Sequence, residues 1–481
     1  MSINRRFSFG VAWMFMGGWA EQGVNFIVVV LLARLLGAEV FGLAAMSAAL
    51  VILAEGLVRE TLTEPLIARK DVEPGHLDAV FWILSVFSVA IALIIVGSAH
   101  WIALFYGDER VTGLTQAFTI GILLTGVAGV PIAILRREMD FRTLALRAIA
   151  GAVAGGVVGI GMALAGFGVW SLVGQRIGLL SVDTALVWAV ARWRPGFTAG
   201  RRHFREVSGF GAKVLGLTTA DLVSAQTPNV VIGAVLGPAA LGIFTISWRL
   251  VEVAAVLLYT PVRMVAQPAF AALRHGGGSA AALLSDIAEV SSVLAISAFA
   301  GMAILAHPLV LLLLGPDWGE AAPVLQVLCL VGAYLCIERV QYAFCLAAGK
   351  AGGLAWLSLA QALLGIFAMI VAAPFGLVAV AIAFTVRYYA LWPIRFAIVK
   401  RLGGMGITRC AEIVAPVIAG AAVMAGGVAL WLRHAAASMP PVVLLASGIV
   451  IGAGIFLLFA ALAFRRRIDT LRRLLAEDEG S

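Results

Sequence analysis

The sequence predicts an all-α polytopic membrane protein of about 14 transmembrane helices. It predicts two parallel six-helix lobes, related by a pseudo-two-fold along the membrane normal, plus two extra C-terminal helices. Three observations carry this. Of 481 residues, 62% are hydrophobic and only 12% charged, with a mean hydropathy of +1.03. The apolar residues fall into fourteen runs long enough to span a hydrocarbon core, which takes about 20 residues. One short pattern occurs twice: Leu36-Gly37-Ala38-Glu39-Val40-Phe41-Gly42-Leu43 returns as Leu236-Gly237-Pro238-Ala239-Ala240-Leu241-Gly242-Ile243.

In chain order the spans are 10–33, 42–66, 79–104, 113–135, 145–165, 168–190, 208–235, 240–262, 288–314, 322–346, 354–373, 376–399, 413–432 and 441–464. Backbone polar groups cannot stay unpaired in lipid, so helices are the expected form. The runs are too long and too uniformly apolar for barrel strands, which take about ten alternating residues. The first span has a basic start, but it contains Glu21, Gln22 and Asn25 and has a counterpart in the second half, so it reads as a span and not a cleaved leader. In the fifth, Gly151, Gly155 and Gly159 recur every four residues, a spacing that lets helix backbones approach. Pro131, Pro228, Pro261, Pro308 and Pro416 sit within or near span ends, where they bend helices.

The duplication continues beyond the opening motif. Glu64-Pro65-Leu66 matches Gln267-Pro268-Ala269, Tyr106-Gly107-Asp108 matches Leu314-Gly315-Pro316, and Gly166-Phe167-Gly168 matches Pro374-Phe375-Gly376. Six spans per repeat return the chain to its starting side, so the halves are expected to be parallel. The resulting division is an N-terminal lobe 1–195, a C-terminal lobe 196–402, two additional helices in 403–464 and a basic tail 465–481. The tail suits a short amphipathic helix on the inner leaflet or an unstructured end.

With the N-terminus inside, 26 of the 34 Lys and Arg fall on inside segments or the inside ends of spans and three on outside turns. This bias orients a multi-pass membrane protein with both termini cytoplasmic. The net charge of +8 then reflects topology and contact with membrane lipids, with no nucleic acid implied. Cys329, Cys336, Cys345 and Cys410 have no metal-type spacing and read as packing residues.

Ionisable residues inside the spans are the functional signal, because each costs several kcal/mol unless paired or hydrated. Arg59, Arg176, Arg249 and Arg387 are candidate ligands for an anionic, phosphate-bearing substrate, since a guanidinium donates in pairs and keeps its charge. Arg339 and Glu338 are adjacent and point apart. Glu55 with Arg59 and Arg249 with Glu252 sit at helical spacings that allow internal salt bridges. Arg176 and Arg387, on equivalent spans six and twelve, have no carboxylate three or four residues away. Glu21 and Asp221 lie at the same place in the two repeats, each amid amides, and with Glu55 and Glu252 are candidates for binding a coupling H+ or Na+. A polar helix-packing cluster and a position at the membrane interface are the other readings of Glu21 and Asp221.

The segment Leu31-Leu32-Ala33-Arg34-Leu35-Leu36 running into the first motif copy resembles the opening of oligosaccharide-lipid and polysaccharide exporters. So do Leu135-Arg136-Arg137-Glu138-Met139-Asp140-Phe141-Arg142 and Gly166-Phe167-Gly168-Val169-Trp170-Ser171-Leu172-Val173. The resemblance, over about residues 1–400, is to the multidrug/oligosaccharidyl-lipid/polysaccharide exporter superfamily and its Wzx-type flippase branch. It implies two six-helix lobes around a central cavity. It also implies carriage of an undecaprenyl-pyrophosphate-linked oligosaccharide, cationic cavity residues, a driving ion gradient, no cofactor, and partners in the polysaccharide polymerase and export machinery. A cation-coupled drug antiporter and a peptidoglycan-precursor flippase of the same superfamily stay open. A membrane ligase or polymerase would need an extramembrane catalytic region; the loops are short, the six His are scattered, and no Walker A, Gly-x-Ser-x-Gly or metal motif appears.

Overall fold

A computed structural model describes residues 3–68, 71–276, 280–347, 352–435 and 439–463. Among them, twelve helices are long and apolar enough to cross a membrane, and no strand occurs. Two of the twelve, Met16–Arg59 and Leu222–Arg263, run 44 and 42 residues. At 1.5 Å per residue that is roughly 60–65 Å, twice the hydrocarbon thickness. Each is interrupted at one glycine. Gly37 has φ 77° and ψ 175°; Gly237 has φ 84° and ψ −179°. Only glycine adopts that region without strain, so each long element is two helices joined at a kink. Counted so, the described residues supply the fourteen crossings expected from the sequence.

The elements are α1 (Ile3–Ala68), α2 (Pro74–Tyr106), α3 (Arg110–Phe118), α4 (Ile120–Arg137), α5 (Phe141–Leu164), α6 (Trp170–Val190), α7 (Arg201–Gly276), α8 (Ala280–Ile304), α9 (Ala306–Leu313), α10 (Ala321–Ala347), α11 (Gly352–Ala372), α12 (Leu377–Ala390), α13 (Trp392–Arg401), α14 (Ile407–Ala435) and α15 (Pro441–Ala463). The motif at residues 36–43 was expected as a short turn between separate helices; the two helices meet there, and the break is concentrated at Gly37, the residue with non-helical φ/ψ. The tail 465–481 lies outside the described residues.

The chain forms two compact units. The first comprises 1–246 with 358–380, the second 247–357 with 381–481. In the first, α5 packs on α6 through the glycine stripe. A methyl at Gly151 would stand 2.9 Å from the Leu179 carbonyl oxygen, and one at Gly155 2.6 Å from that of Gln175. The two motif copies also meet in this unit. A methyl at Gly42 would fall on the Pro238 carbonyl oxygen, and a methyl at Gly242 on that of Ala38. Because 38 and 238, like 42 and 242, are repeat partners, this backbone crossing is reciprocal. In the second unit, α8 packs against α10 and α14, and α14 against α15. There Phe270, Phe344, Ile337, Phe396 and Ile413 form part of one buried cluster. The four cysteines are free and buried.

Candidate functional site

Three acids buried or nearly so within spans each meet an arginine from another helix. In the first unit, Glu55 on α1 bonds Arg176 of α6, whose Nη2 donates to Oε2. Glu55 is 3% exposed and Arg176 34%. The other carboxylate oxygen, Oε1, is buried without a hydrogen-bond partner. It faces Gly121 of α4, where any side chain would collide with it. Asp183 on α6 pairs with Arg147 of α5. In the second unit, Glu338 on α10 pairs with Arg395 of α13 and stands 3.8 Å from the Arg339 guanidinium. Pairing of this kind offsets the desolvation that a lone charge would suffer in lipid.

Glu55, expected from sequence to pair with Arg59 at i,i+4, is met by Arg176 across the helix interface; Arg59 is exposed and engaged in an interaction of its own. The Arg249–Glu252 pair does form, at 2.7 Å, with both side chains partly exposed. Glu21 is half-buried and engaged in an interaction. The side chain of Asp221 lies outside the described residues, as do those of Glu60 and Glu64; nearby, Asn229 donates to Gln226 Oε1 at 2.8 Å.

Arg387, in the last turn of α12, differs from the rest. It is 2% exposed. Its guanidinium lies over the rings of Phe384 and Tyr388, 4.2 and 4.7 Å from the centroids, and Nη2 lies 3.0 Å from the Tyr388 hydroxyl. Nε and Nη1 meet no acceptor. Tyr334, Tyr388, Tyr389, Trp392 and Phe396 extend the aromatic cluster. Cation–π contact stabilises such a group by roughly 1–2 kcal/mol, short of the cost of a buried charge with no counter-anion. Elsewhere in this unit, Arg263 and Arg339 both approach the Tyr259 ring, each 5.9 Å from its centroid.

A second polar cluster ties the start of α2 to the start of α7. Backbone N–H of Glu73 donates to His76 Nδ1 at 3.1 Å, and that of Gly200 to His203 Nδ1 at 3.0 Å. A ring nitrogen that accepts carries no proton, so this arrangement leaves Nε2 of each ring as the one that donates. His76 Nε2 meets Glu206 at 3.1 Å and His203 Nε2 meets Glu73 at 2.9 Å. The ligand atoms of Glu73, His76 and His203 lie within 4.8 Å of one another, a spacing that suits a metal ion. A metal on Nε2 would push each proton onto Nδ1, against a backbone donor, so the arrangement fits a clasp better than a metal centre. Beside it, Asp78 accepts from Gly196 N, Thr198 N and Thr198 Oγ1 at 3.0, 3.1 and 2.6 Å. Trp82 donates to Gly196 O at 2.9 Å and stacks on Phe197. The 191–200 connection is thereby docked.

Residues 31–323 match the model of a family described as "Polysaccharide biosynthesis protein". The chain belongs to this family. It is 27% identical over 467 residues to the succinoglycan biosynthesis transport protein ExoT of Rhizobium meliloti (strain 1021), covering 97% of this chain and 94% of that one. It is 21% identical over 345 residues to the lipopolysaccharide biosynthesis protein WzxC of Escherichia coli (strain K12), covering 69% and 68%. Its fold is similar to that of the lipid II flippase MurJ in an inward closed conformation, with a TM-score of 0.78 at 14% identity over 95% of this chain and 99% of that chain.

The partners of Arg176, Arg147 and Arg395 escaped a search along helical spacings because they lie 121, 36 and 57 residues away. The clasp had a sequence signal: Glu73 with His76, and His203 with Glu206, each three apart at a helix start.

Proposed function

We propose that this protein is a flippase that moves an undecaprenyl-pyrophosphate-linked oligosaccharide or polysaccharide repeat unit across the bacterial inner membrane by alternating access, supplying lipopolysaccharide or exopolysaccharide biosynthesis. The observation that carries the reading is Arg387: a buried guanidinium in mid-span, among aromatic rings, with two nitrogens meeting no acceptor. Such a group awaits an anion, and a phosphate is the natural one. Family membership and the names of the relatives support the polysaccharide substrate. Arg59, Arg176 and Arg249 remain proposed auxiliary ligands. Glu55, Glu21, Asp221 and Glu252 remain proposed coupling carboxylates for H+ or Na+. The bodies that rock are proposed to be 1–195 and 196–402, with both termini cytoplasmic, and export machinery receives the product.

Deleting the protein should trap lipid-linked oligosaccharide on the cytoplasmic leaflet. Arg387→Gln should reproduce the deletion at normal expression, and Arg387→Lys should restore only part of the activity. Normal polysaccharide export from the deletion strain, with no redundant carrier, would refute the proposal. Rescue of a peptidoglycan-precursor defect instead would reassign the substrate.

A further inference from the structure

Glu55 and Arg176 were expected to act in separate roles, one on an ion and one on phosphate, but the structure joins them. Arg176 Nη2 bonds Glu55 Oε2, while Oε1 is buried with no partner. Arg176 is one-third exposed and Glu55 almost wholly enclosed, at 34% and 3%. The arginine can therefore leave toward a ligand; the carboxylate cannot follow it into water. If Arg176 turns to a phosphate oxygen, Glu55 is left as a bare anion against Gly121 and Leu180. An unpaired buried carboxylate is too costly to persist. Neutralising it takes one proton.

We propose that Glu55 is a proton site linked to anion binding at Arg176: a phosphate group takes the guanidinium and Glu55 takes a proton in its place. This rests on the reading above that Arg176 receives the phosphate of the lipid. The Arg176–Glu55 ion pair breaks, an O–H bond forms on Glu55 with a proton drawn from solvent, and the guanidinium, still charged, pairs with the phosphate. A sodium ion fits less well, because it needs several oxygens. The wall at Oε1 offers instead a glycine with no side chain and, nearby, a leucine methyl.

Other titratable groups are placed so that they do not take over this role. On α6, Asp183 is committed to Arg147 of α5. Along α4, residues 120–135 hold no acid or base, α3 carries only Arg110 at its start, and α2 carries none between Asp78 and His100. On the same helix, Arg59 is exposed and has its own interaction.

The test uses the purified full chain in nanodiscs of phosphatidylethanolamine and phosphatidylglycerol, titrated with undecaprenyl phosphate between pH 5.5 and 8. Proton uptake is read by dye in weak buffer. Wild type should take up one proton per bound lipid beyond that of the lipid phosphate. Its affinity should rise by up to about tenfold per pH unit on acidification, the slope of one linked proton. Glu55→Gln should bind as tightly at pH 8 as wild type does at low pH and take up no extra proton; its residual slope measures the lipid's own ionisation. Arg176→Gln should lose tenfold or more in affinity at every pH. A wild-type proton count equal to the lipid's own, or a wild-type slope retained in Glu55→Gln, overturns the link. If Arg176→Gln binds normally, phosphate capture at Arg176 fails, and the linkage with it. If it loses binding while Glu55→Gln keeps the wild-type slope, only the proton link fails. Should Glu55→Gln fold poorly, the wild-type proton count alone decides.

Discussion

Asp78 illustrates how much one side chain can organise. It is buried at the start of α2 and accepts three hydrogen bonds from Gly196 and Thr198. Hydrogen bonds to a charged group contribute about 1.5–3 kcal/mol each, and they are not additive. Asp78→Ala should therefore lower stability by about 2–4 kcal/mol, read as the thermal midpoint in detergent, and should expose the 191–200 connection to protease. An unchanged cleavage rate would mean that the connection is held by Trp82 and Phe197 alone. Nearby, the hydrogen bond from His203 holds the Glu73 carboxyl below its ordinary 4.5. A depressed acid contributes its stability above that ordinary value and loses it as pH falls through the lower folded value. The Glu73 contribution to the clasp should accordingly be lost below about pH 4.5, seen as faster pepsin cleavage near residue 200. Glu73→Gln should abolish that pH step. At this scale the sequence revealed which charges were out of place, but not their partners. Glu55 was legible as a stranded acid; Arg176 as its counter-ion was not, because tertiary packing and not helical spacing brings them together.

Glycines decide how the elements cross. The stripe of Gly151, Gly155 and Gly159 was readable as a packing face, and it presses on α6 as expected. The doubled motif was readable as a repeat, but its purpose emerges only in three dimensions, where Gly42 and Gly242 let the two copies touch backbone to backbone. Gly42→Ala and Gly242→Ala each place a methyl on a carbonyl oxygen that cannot step aside. Each should cost about 1–3 kcal/mol by overpacking, seen as a lower thermal midpoint and reduced transport. Gly97→Ala is the control: it lies within α2, has no atom within 4 Å of an added methyl and no positive φ. It should be neutral or slightly stabilising, since alanine favours the helix. Equal damage at Gly97 and Gly42 would show that close approach is not what the motif glycines provide. Span boundaries in this region were less legible than span number. The break between the two helices of each long element falls at a single residue, Gly37 or Gly237, with no loop between them for hydropathy to mark.

For the whole molecule, the fourteen crossings and the charge bias constrain each other. Fourteen is even, so the chain must begin and end on one side. The distribution of arginine and lysine, 26 against three, is the ground on which that side is proposed to be the cytoplasm, since positively charged loops resist translocation. Fusions ending at residue 200 and at residue 404 should both place a reporter in the cytoplasm: green fluorescent protein should fluoresce there and alkaline phosphatase stay inactive. Fusions ending at Gly107, the left-handed cap of α2, or at Gly315, which precedes a short 3-10 turn, should give the opposite result. The same logic predicts the response to added charge. Three lysines placed in the 107–110 turn should compete with the short inside loops and mis-orient a fraction of molecules, whereas three lysines in the basic 191–200 connection should change nothing. Alkaline phosphatase activity at residue 404, with residue 200 inside, would break the argument at its base, because the second repeat would then hold an odd number of crossings and could not match the six of the first.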